Sequence, residues 1–95
     1  MSFLEKFGFN SDDINELESI VPEKIQTLIM ENNKLVSVNV LYLKELGIQN
    51  YKEVFTKFYD MFLLDASVFK GIFDKYDRTS LISKISKKVN IVEYL

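Results

Sequence analysis

Apolar side chains recur every three or four positions along the chain, and the runs are interrupted at Gly8, Pro22 and Gly47. Residues three and four apart lie on one face of a helix, so this spacing is typical of short amphipathic helices. No segment alternates apolar and polar residues over the length of a strand, and residues 35–40 come nearest. The pattern therefore predicts an all-α fold, a compact stack of about six to eight short helices.

Glycine, proline and small polar residues predict where the helices of the first half begin and end. Gly8 ends a short opening helix, and Ser11 is expected to cap the second, whose first turn is acidic as the helix dipole favours. Pro22 ends the second helix, because the residue before a proline is disfavoured in the α region, and it suits the first position of the third. Ser37 is expected to cap the fourth helix.

The second half shows the same pattern of apolar runs separated by stop and cap residues, with more aromatic residues. Gly47 is expected to end the fourth helix in a left-handed conformation. Asn50 with Glu53 resembles a capping box for a fifth helix, which is predicted to continue through Phe62. Gly71 lies within a sixth helix at a cost of about 1 kcal/mol relative to alanine, which suggests a close helix crossing there. The aromatic residues predicted to form the core are Phe55, Phe58, Phe62, Phe69 and Phe73.

The composition excludes several classes of function but does not identify one. The 95 residues, 47% of them apolar, suit a single domain spanning residues 1–95. There is no cysteine and no histidine, which removes thiolate and imidazole chemistry and zinc sites built on them. The three glycines are too far apart for a phosphate-binding loop. The chain is therefore predicted to be non-enzymatic, with no cofactor or metal.

The net charge of −2 is unevenly distributed. Residues 1–33 carry seven acidic residues against two lysines, a net of −5, which leaves +3 for the remainder. Such a separation can orient an approaching partner. The longest apolar run near the middle, residues 61–64, is far shorter than the roughly 20 residues of a membrane span, and no leader is visible, so a cytoplasmic location without membrane contact is expected.

Lys84, Lys87 and Lys88 fall at helical spacing on the polar face of the predicted seventh helix, near its C-terminus. Together with Arg78 they form a candidate site for a nucleic-acid phosphate or another acidic partner, and Lys70 and Lys75 extend the same predicted basic patch. The alternative is an ordinary solvated face, since the helix dipole favours lysines at this end. The tyrosines expected to make surface contacts through their hydroxyls are Tyr42, Tyr51 and Tyr59.

An internal repeat is visible around two of the glycines. Residues 4–9 and residues 43–48 both read Leu, two charged residues, apolar, Gly, apolar, and the glycines are 39 positions apart. This spacing lies in the range of helical repeats. The chain is accordingly divided into two imperfect helix-turn-helix units, roughly residues 3–40 and 41–80, with residues 81–95 as a C-terminal cap.

With the glycines aligned, the chain resembles the repeats of the mitochondrial transcription termination factor (mTERF) family. Leu46-Gly47-Ile48 matches the Leu-Gly-apolar stop of those repeats, and Pro22 stands fourteen positions after Gly8, where the family has a proline. The second unit departs from the pattern, because Met61 or Phe62 stands at the corresponding position. The resemblance implies a helical repeat fold that binds nucleic acid along a basic concave surface.

Residues 43–55 also resemble the opening of a sterile alpha motif (SAM) domain, through the spacing of Leu-Gly-Ile, Tyr and Phe. Domains of that family are five-helix protein-interaction modules, and the N-terminal third of this chain lies outside the match. We therefore expect a helical interaction module whose partner is a protein or a second copy of the chain, bound through the aromatic-rich C-terminal half. The alternative is a small nucleic-acid-binding protein that uses Lys84, Lys87 and Lys88.

Overall fold

The helices predicted from the apolar spacing are present, and the computed structural model, which describes residues 1–95, contains no β-strand. The all-α prediction is confirmed. Six α-helices are accompanied by three short 3₁₀ helices. In chain order these are η1 (Ser2–Phe7), α1 (Ser11–Ile20), α2 (Glu23–Glu31), α3 (Asn33–Leu46), α4 (Tyr51–Lys57), η2 (Tyr59–Leu63), α5 (Ala66–Asp74), α6 (Arg78–Lys87) and η3 (Val89–Tyr94).

Helix α3 lies at the centre of the fold and contacts η1, α2, α4, η2 and α5. It runs in the same direction as α5: Asn39 in the middle of α3 meets Phe62 just before α5, and Tyr42 one turn later packs against Phe69 within it. Both helices therefore end at the same side of the molecule. The radius of gyration of 12.7 Å is close to the roughly 12 Å expected of one compact chain of this length. None of the helices is both long enough and apolar enough to cross a bilayer.

A single core of 19 buried apolar residues joins all the helices. Its centre is a row of aromatic rings in which Phe62 packs between Phe55 and Phe69 at centroid distances of 4.8 and 4.9 Å, and Phe69 packs on Phe73 at 5.2 Å. These distances are typical of favourable aromatic pairs. The four rings confirm the predicted aromatic core, whereas Phe58, predicted with them, is only half-buried at the core's edge.

The two glycine stops have the same geometry. Gly8 and Gly47 are left-handed, with φ of 92° and 100°. The next residues, Phe9 and Ile48, each donate their backbone N–H to the carbonyl five positions earlier, at 3.3 and 3.2 Å, and both side chains are buried. This is the Schellman arrangement, in which an apolar residue beyond the glycine folds back onto the last helical turn. Both predicted stops are confirmed.

Helix α1 begins as predicted, but its cap lies one residue earlier. Asn10, not Ser11, is the cap: its Oδ1 accepts the Asp13 N–H at 2.8 Å, and Asp13 Oδ2 accepts the Asn10 N–H at 2.9 Å. The two bonds form a capping box. Pro22 ends α1 as predicted, but it is the residue before α2 and not the first residue of that helix.

The predicted cap at Ser37 is wrong, because α3 has already begun at Asn33. The side-chain amides of Asn32 and Asn33 donate to the last carbonyls of α2, at 2.8 and 2.9 Å. The Leu28 carbonyl also accepts the Asn32 backbone N–H at 3.0 Å, so the two amides give the end of α2 additional donors at the point where α3 starts. The proposed repeat boundary between residues 40 and 41 accordingly falls in the middle of α3, and the breaks on either side of it are at Asn32 and at Gly47.

The predicted capping box of Asn50 and Glu53 is also wrong. Asn50 precedes α4, but its side chain makes no capping bond. Its amide instead donates to the Ile85 carbonyl of α6 at 3.0 Å, a residue 35 positions away. The Asn50 side chain, which the local pattern assigns to the start of α4, therefore bonds α6 instead.

The fifth helix does not continue through Phe62 as predicted. Helix α4 stops at Lys57, and the chain continues as η2. The side-chain amide of Asn39 donates to the carbonyls of Phe62 and Leu64, at 2.9 and 3.0 Å. A buried side chain of α3 therefore holds the irregular segment that follows the break.

Gly71 does not mark a close helix crossing, and that prediction is wrong. The residue is exposed on α5, and a Cβ added to it would meet no other atom within 4 Å. The faces of α5 that contact the core carry Phe69 and Phe73 instead.

At the C-terminus, Val89 and Val92 of η3 are buried, whereas Tyr94 is 79% exposed.

Candidate functional site

The residues predicted to form a basic patch are distributed along α6. Arg78 is the first residue of the helix, and its guanidinium points back to α3: Nε donates to the Leu46 carbonyl and Nη2 to the Glu45 carbonyl, each at 2.9 Å. Lys84 and Lys87 are exposed in the last turns. Lys88 follows the helix end with an extended backbone (φ −151°, ψ 99°), so helical spacing no longer aligns it with Lys84.

The ends of α3 and α5 and the start of α6 surround a cavity of about 390 Å³, which we call the first compartment. Aromatic and apolar side chains form its walls, and charged groups stand among them. Its lining includes Tyr42, Glu45, Leu46, Asp74, Tyr76 and Arg78. Arg78 closes one wall through its bonds to the end of α3.

A cavity of about 290 Å³, the second compartment, adjoins the first, since Tyr76 and Leu81 line both. It lies between α6 and η3, and Lys84 stands at its edge. The Tyr76 hydroxyl crosses this space to donate to the Leu95 carbonyl at 3.1 Å. We call the two compartments together the C-terminal cleft. The apolar and aromatic residues that complete the second compartment are Ile91, Tyr94 and Leu95.

Tyr42 and Asp74 are fixed against each other within the first compartment. The Tyr42 hydroxyl donates to Asp74 Oδ1. Burial raises the pKa of Tyr42 to about 12, and the hydrogen bond to Asp74 and the charge of that carboxylate act in the same direction. Tyr42 therefore stays protonated and keeps donating at neutral pH, which orients the carboxylate.

Cations already contact the tyrosine rings of the cleft. The Lys70 ammonium lies 5.5 Å from the centre of the Tyr42 ring, and the Lys75 ammonium lies 5.4 Å from that of Tyr76. Both distances fall within the range of cation–π attraction. The cleft carboxylates, in contrast, form no ion pair, because the chain's one ion pair joins Lys52 to Asp13 at 3.2 Å, outside the cleft.

Of the three tyrosines predicted for surface contact, only Tyr42 lines the cleft. The Tyr51 hydroxyl donates to the Phe7 carbonyl and lies directly against Gly8, so it holds η1 onto α4. Tyr59 is half-buried and borders a separate shallow depression near α1. Tyr51 and Tyr59 therefore have places in the packing that their sequence positions did not reveal.

The sequence pattern did not single out most of the cleft. Glu45 of α3, Tyr76 of the connection between α5 and α6, and Tyr94 of η3 line adjoining compartments because α3 and α5 end side by side and η3 packs on α6. Each lies at or near the end of a helix. In the sequence, helix capping or exposure to solvent is enough to account for a residue at such a position. No group of three or more acidic side chains is arranged as a metal site would require. The arrangement is suited to recognition, since an apolar, aromatic cleft is combined with a few placed charges.

Comparison of the chain with protein-family models, with curated protein sequences and with solved structures gives no significant match.

Proposed function

We propose that this protein is a non-enzymatic interaction module that binds a segment of a protein partner in the C-terminal cleft. The observation that carries the proposal is the pair of adjoining compartments, about 390 and 290 Å³, joined at Tyr76 and Leu81. Cavities of this size accept one or two side chains each, which matches a short protein segment. Tyr76 is 40% exposed and Tyr94 79% exposed, so both rings are open to a partner.

The lining favours a protein partner over a nucleic acid. Tyrosine is among the residues that contribute most to protein interfaces, because it combines a large apolar ring with a hydroxyl that can bond. The cleft has carboxylates of Glu45, Asp74 and Asp77 on its walls. Arg78 and Lys84 also line the cleft, so its walls carry charges of both signs, which a polypeptide can match with groups of both signs and a uniformly negative phosphate backbone cannot.

Selection from a random peptide library displayed on phage tests the proposal. Peptides enriched on the wild-type protein are expected to lose about fivefold or more in affinity for Tyr76→Ala and Tyr94→Ala. Leu28→Ala is the matched control, because Leu28 is an exposed apolar residue of α2, 43% accessible and outside the cleft. If the enriched peptides bound both tyrosine variants as tightly as the control, the cleft would not be the binding site.

A second copy of the chain is the partner that can be tested without any selection. Sedimentation velocity over a range of protein concentrations measures this directly. If the cleft mediates self-association, the average mass rises with concentration for the wild type and for Leu28→Ala, and Tyr94→Ala shifts the transition to higher concentration. A constant monomer mass for all three proteins leaves a different protein as the partner.

The second candidate is nucleic-acid binding, favoured by one specific observation. Lys84, Lys87 and Lys88 are all exposed, and none of them forms an ion pair. The similar geometry of the stops at Gly8 and Gly47 supports the resemblance to mTERF repeats, whose family binds nucleic acid. We place this function second because Arg78, the fourth residue of the predicted patch, is bonded to α3.

Salt dependence distinguishes this candidate. Three phosphate contacts predict that log K falls against log salt with a slope of about −2 to −3. Reversal of Lys84, Lys87 and Lys88 to glutamate should abolish the binding. The control reverses Lys6, Lys24 and Lys34, three exposed lysines of the first half, and changes the net charge equally. Equal losses in the two triple variants would indicate a nonspecific charge effect, and no binding at low salt would remove the candidate.

A further inference from the structure

One hydrogen bond crosses the cleft where its two compartments meet. The compartments share two residues: Leu81 is buried and forms the floor of the junction, whereas Tyr76 is 40% exposed and stands above it. The Tyr76 hydroxyl donates to the Leu95 carbonyl at 3.1 Å, on the side of the second compartment formed by η3 and the residue after it. A partner segment that filled both compartments would have to pass between Tyr76 and Leu95.

The residues on the Leu95 side are loosely attached after Val92. Val89 and Val92 are buried and anchor η3 on α6, but the next two residues are exposed and Leu95 is half-buried. The Leu95 N–H donates to the Val92 carbonyl at 3.3 Å, with the poorer geometry of a 3₁₀ bond. Segments with few buried contacts and exposed backbone bonds open at low free energy. Residues 93–95 can therefore move about Val92 while the rest of η3 stays in place.

The bond from Tyr76 is the one polar tie that holds this segment across the cleft. No other hydrogen bond or ion pair joins residues 93–95 to the chain outside η3. The bond joins a hydroxyl to a carbonyl at an exposed position. Loss of one such bond changes an equilibrium about two- to tenfold. The tie is therefore strong enough to favour the closed position and weak enough for a bound segment to displace it.

From these contacts we infer that residues 93–95 form a latch over the second compartment, closed by the bond between Tyr76 and Leu95 and opened when a partner segment fills both compartments. The inference rests on the proposed function and concerns the regulation of that same site. A protein binds with an affinity reduced by the fraction of molecules in the competent state. The latch therefore lowers the affinity of the cleft, and a change that releases it raises that affinity.

Tyr76→Phe tests the latch, because it removes the hydroxyl and keeps the ring. The Lys75 ammonium lies 5.4 Å from the centre of this ring and attracts a phenylalanine ring in the same way, so the ring should stay in place. The probe is a fluorescein-labelled library peptide whose binding Tyr76→Ala weakens. Fluorescence anisotropy should show this peptide binding Tyr76→Phe about two- to tenfold tighter than the wild type. The two substitutions at one position are thus expected to act in opposite directions.

Amide hydrogen exchange followed by NMR measures the latch without a peptide. The Leu95 N–H should exchange about two- to tenfold faster in Tyr76→Phe than in the wild type. The Lys88 N–H, which bonds the Lys84 carbonyl at 3.0 Å at the end of α6, should keep its wild-type rate. Tyr59→Phe is the matched control, because Tyr59 lies outside the cleft, and it should change neither the peptide affinity nor the exchange of Leu95.

The outcomes separate the latch from the proposed function. Equal or weaker binding of the peptide by Tyr76→Phe overturns the latch and leaves cleft binding standing, whatever the exchange of Leu95 shows. Unchanged exchange of the Leu95 N–H overturns it as well, because the bond would then not hold the segment. If the library yields no peptide whose binding depends on the cleft, the proposed function falls and the latch falls with it.

Discussion

The side-chain amide of Asn39 donates to the carbonyl oxygen of Phe62 across 2.9 Å in the interior of the protein. The same amide donates to the Leu64 carbonyl at 3.0 Å, and Asn39 is fully buried. One polar side chain of the central helix thereby holds the irregular segment between α4 and α5. This connection ties the segment that leads into α5 to the middle of α3, and the ends of these two helices line the cleft.

Replacement of Asn39 by leucine should destabilise the fold by about 2–3 kcal/mol, because the buried Phe62 carbonyl and the partly buried Leu64 carbonyl lose their donor. Urea denaturation followed by circular dichroism measures the change. Asn33→Ala is the control: its amide also donates to a carbonyl, that of Met30 at 2.9 Å, but on the surface, so a loss below about 1 kcal/mol is expected. Similar losses in the two variants would contradict the role assigned to Asn39.

Gly47→Ala and Gly71→Ala should change stability in opposite directions. Gly47 has φ of 100°, and a Cβ there would lie 3.2 Å from Ile82 Cδ1, so a loss of about 1–2 kcal/mol is expected. Gly71 is helical and has open space around it, so alanine should stabilise by about 0.5–1 kcal/mol. Thermal unfolding of the two variants beside the wild type tests both signs, and destabilisation by Gly71→Ala would show an unrecognised contact at α5.

Asp13 should contribute to the acid sensitivity of the fold. Its pKa is lowered, chiefly by the backbone N–H of Asn10, with Lys52 acting in the same direction against a smaller opposing effect of burial. A lowered pKa in the folded state gives stability that is present above the unfolded pKa and is lost as pH falls through the folded value. Asp13→Asn should therefore flatten the decline of Tm below about pH 4. Asp12→Asn is the control, and an identical pH profile for wild type and Asp13→Asn would reject the assignment.

Tyr42 should ionise only at strongly alkaline pH. Its pKa is raised to about 12, so ultraviolet titration should show a late phenolate step that is absent from Tyr42→Phe. The raised pKa means that its contribution to stability is complete below about pH 10 and is lost between about pH 10 and 12, where the unfolded chain ionises first. At neutral pH the phenylalanine variant should lose about 0.5–1.5 kcal/mol with the hydrogen bond to Asp74. An unchanged titration curve would contradict this environment.

At the start of α4, the structure departs from the sequence pattern because a distant group replaces a local one. Asn50 bonds the Ile85 carbonyl instead of capping α4 with Glu53, because α6 packs beside it. Local spacing carries no information about a partner 35 positions away. A glycine at position 71 predicts a close helix contact from its residue type alone. The position of α5 on the surface decides which atoms lie near this residue, and none lies within 4 Å of an added Cβ.

By itself, the sequence determined the helical character of the chain, the left-handed stops at Gly8 and Gly47, and the aromatic core of Phe55, Phe62, Phe69 and Phe73. These features depend on backbone conformation and on the repeat of apolar residues within a few positions, which are local properties. Only the tertiary structure decided the bond of Asn39 to the segment after α4, the bonding of Arg78 to α3 and the meeting of Tyr42 with Asp74 in the C-terminal cleft. Each of these joins residues more than 20 positions apart, and their meeting depends on how the helices pack rather than on the order of residues within any one of them.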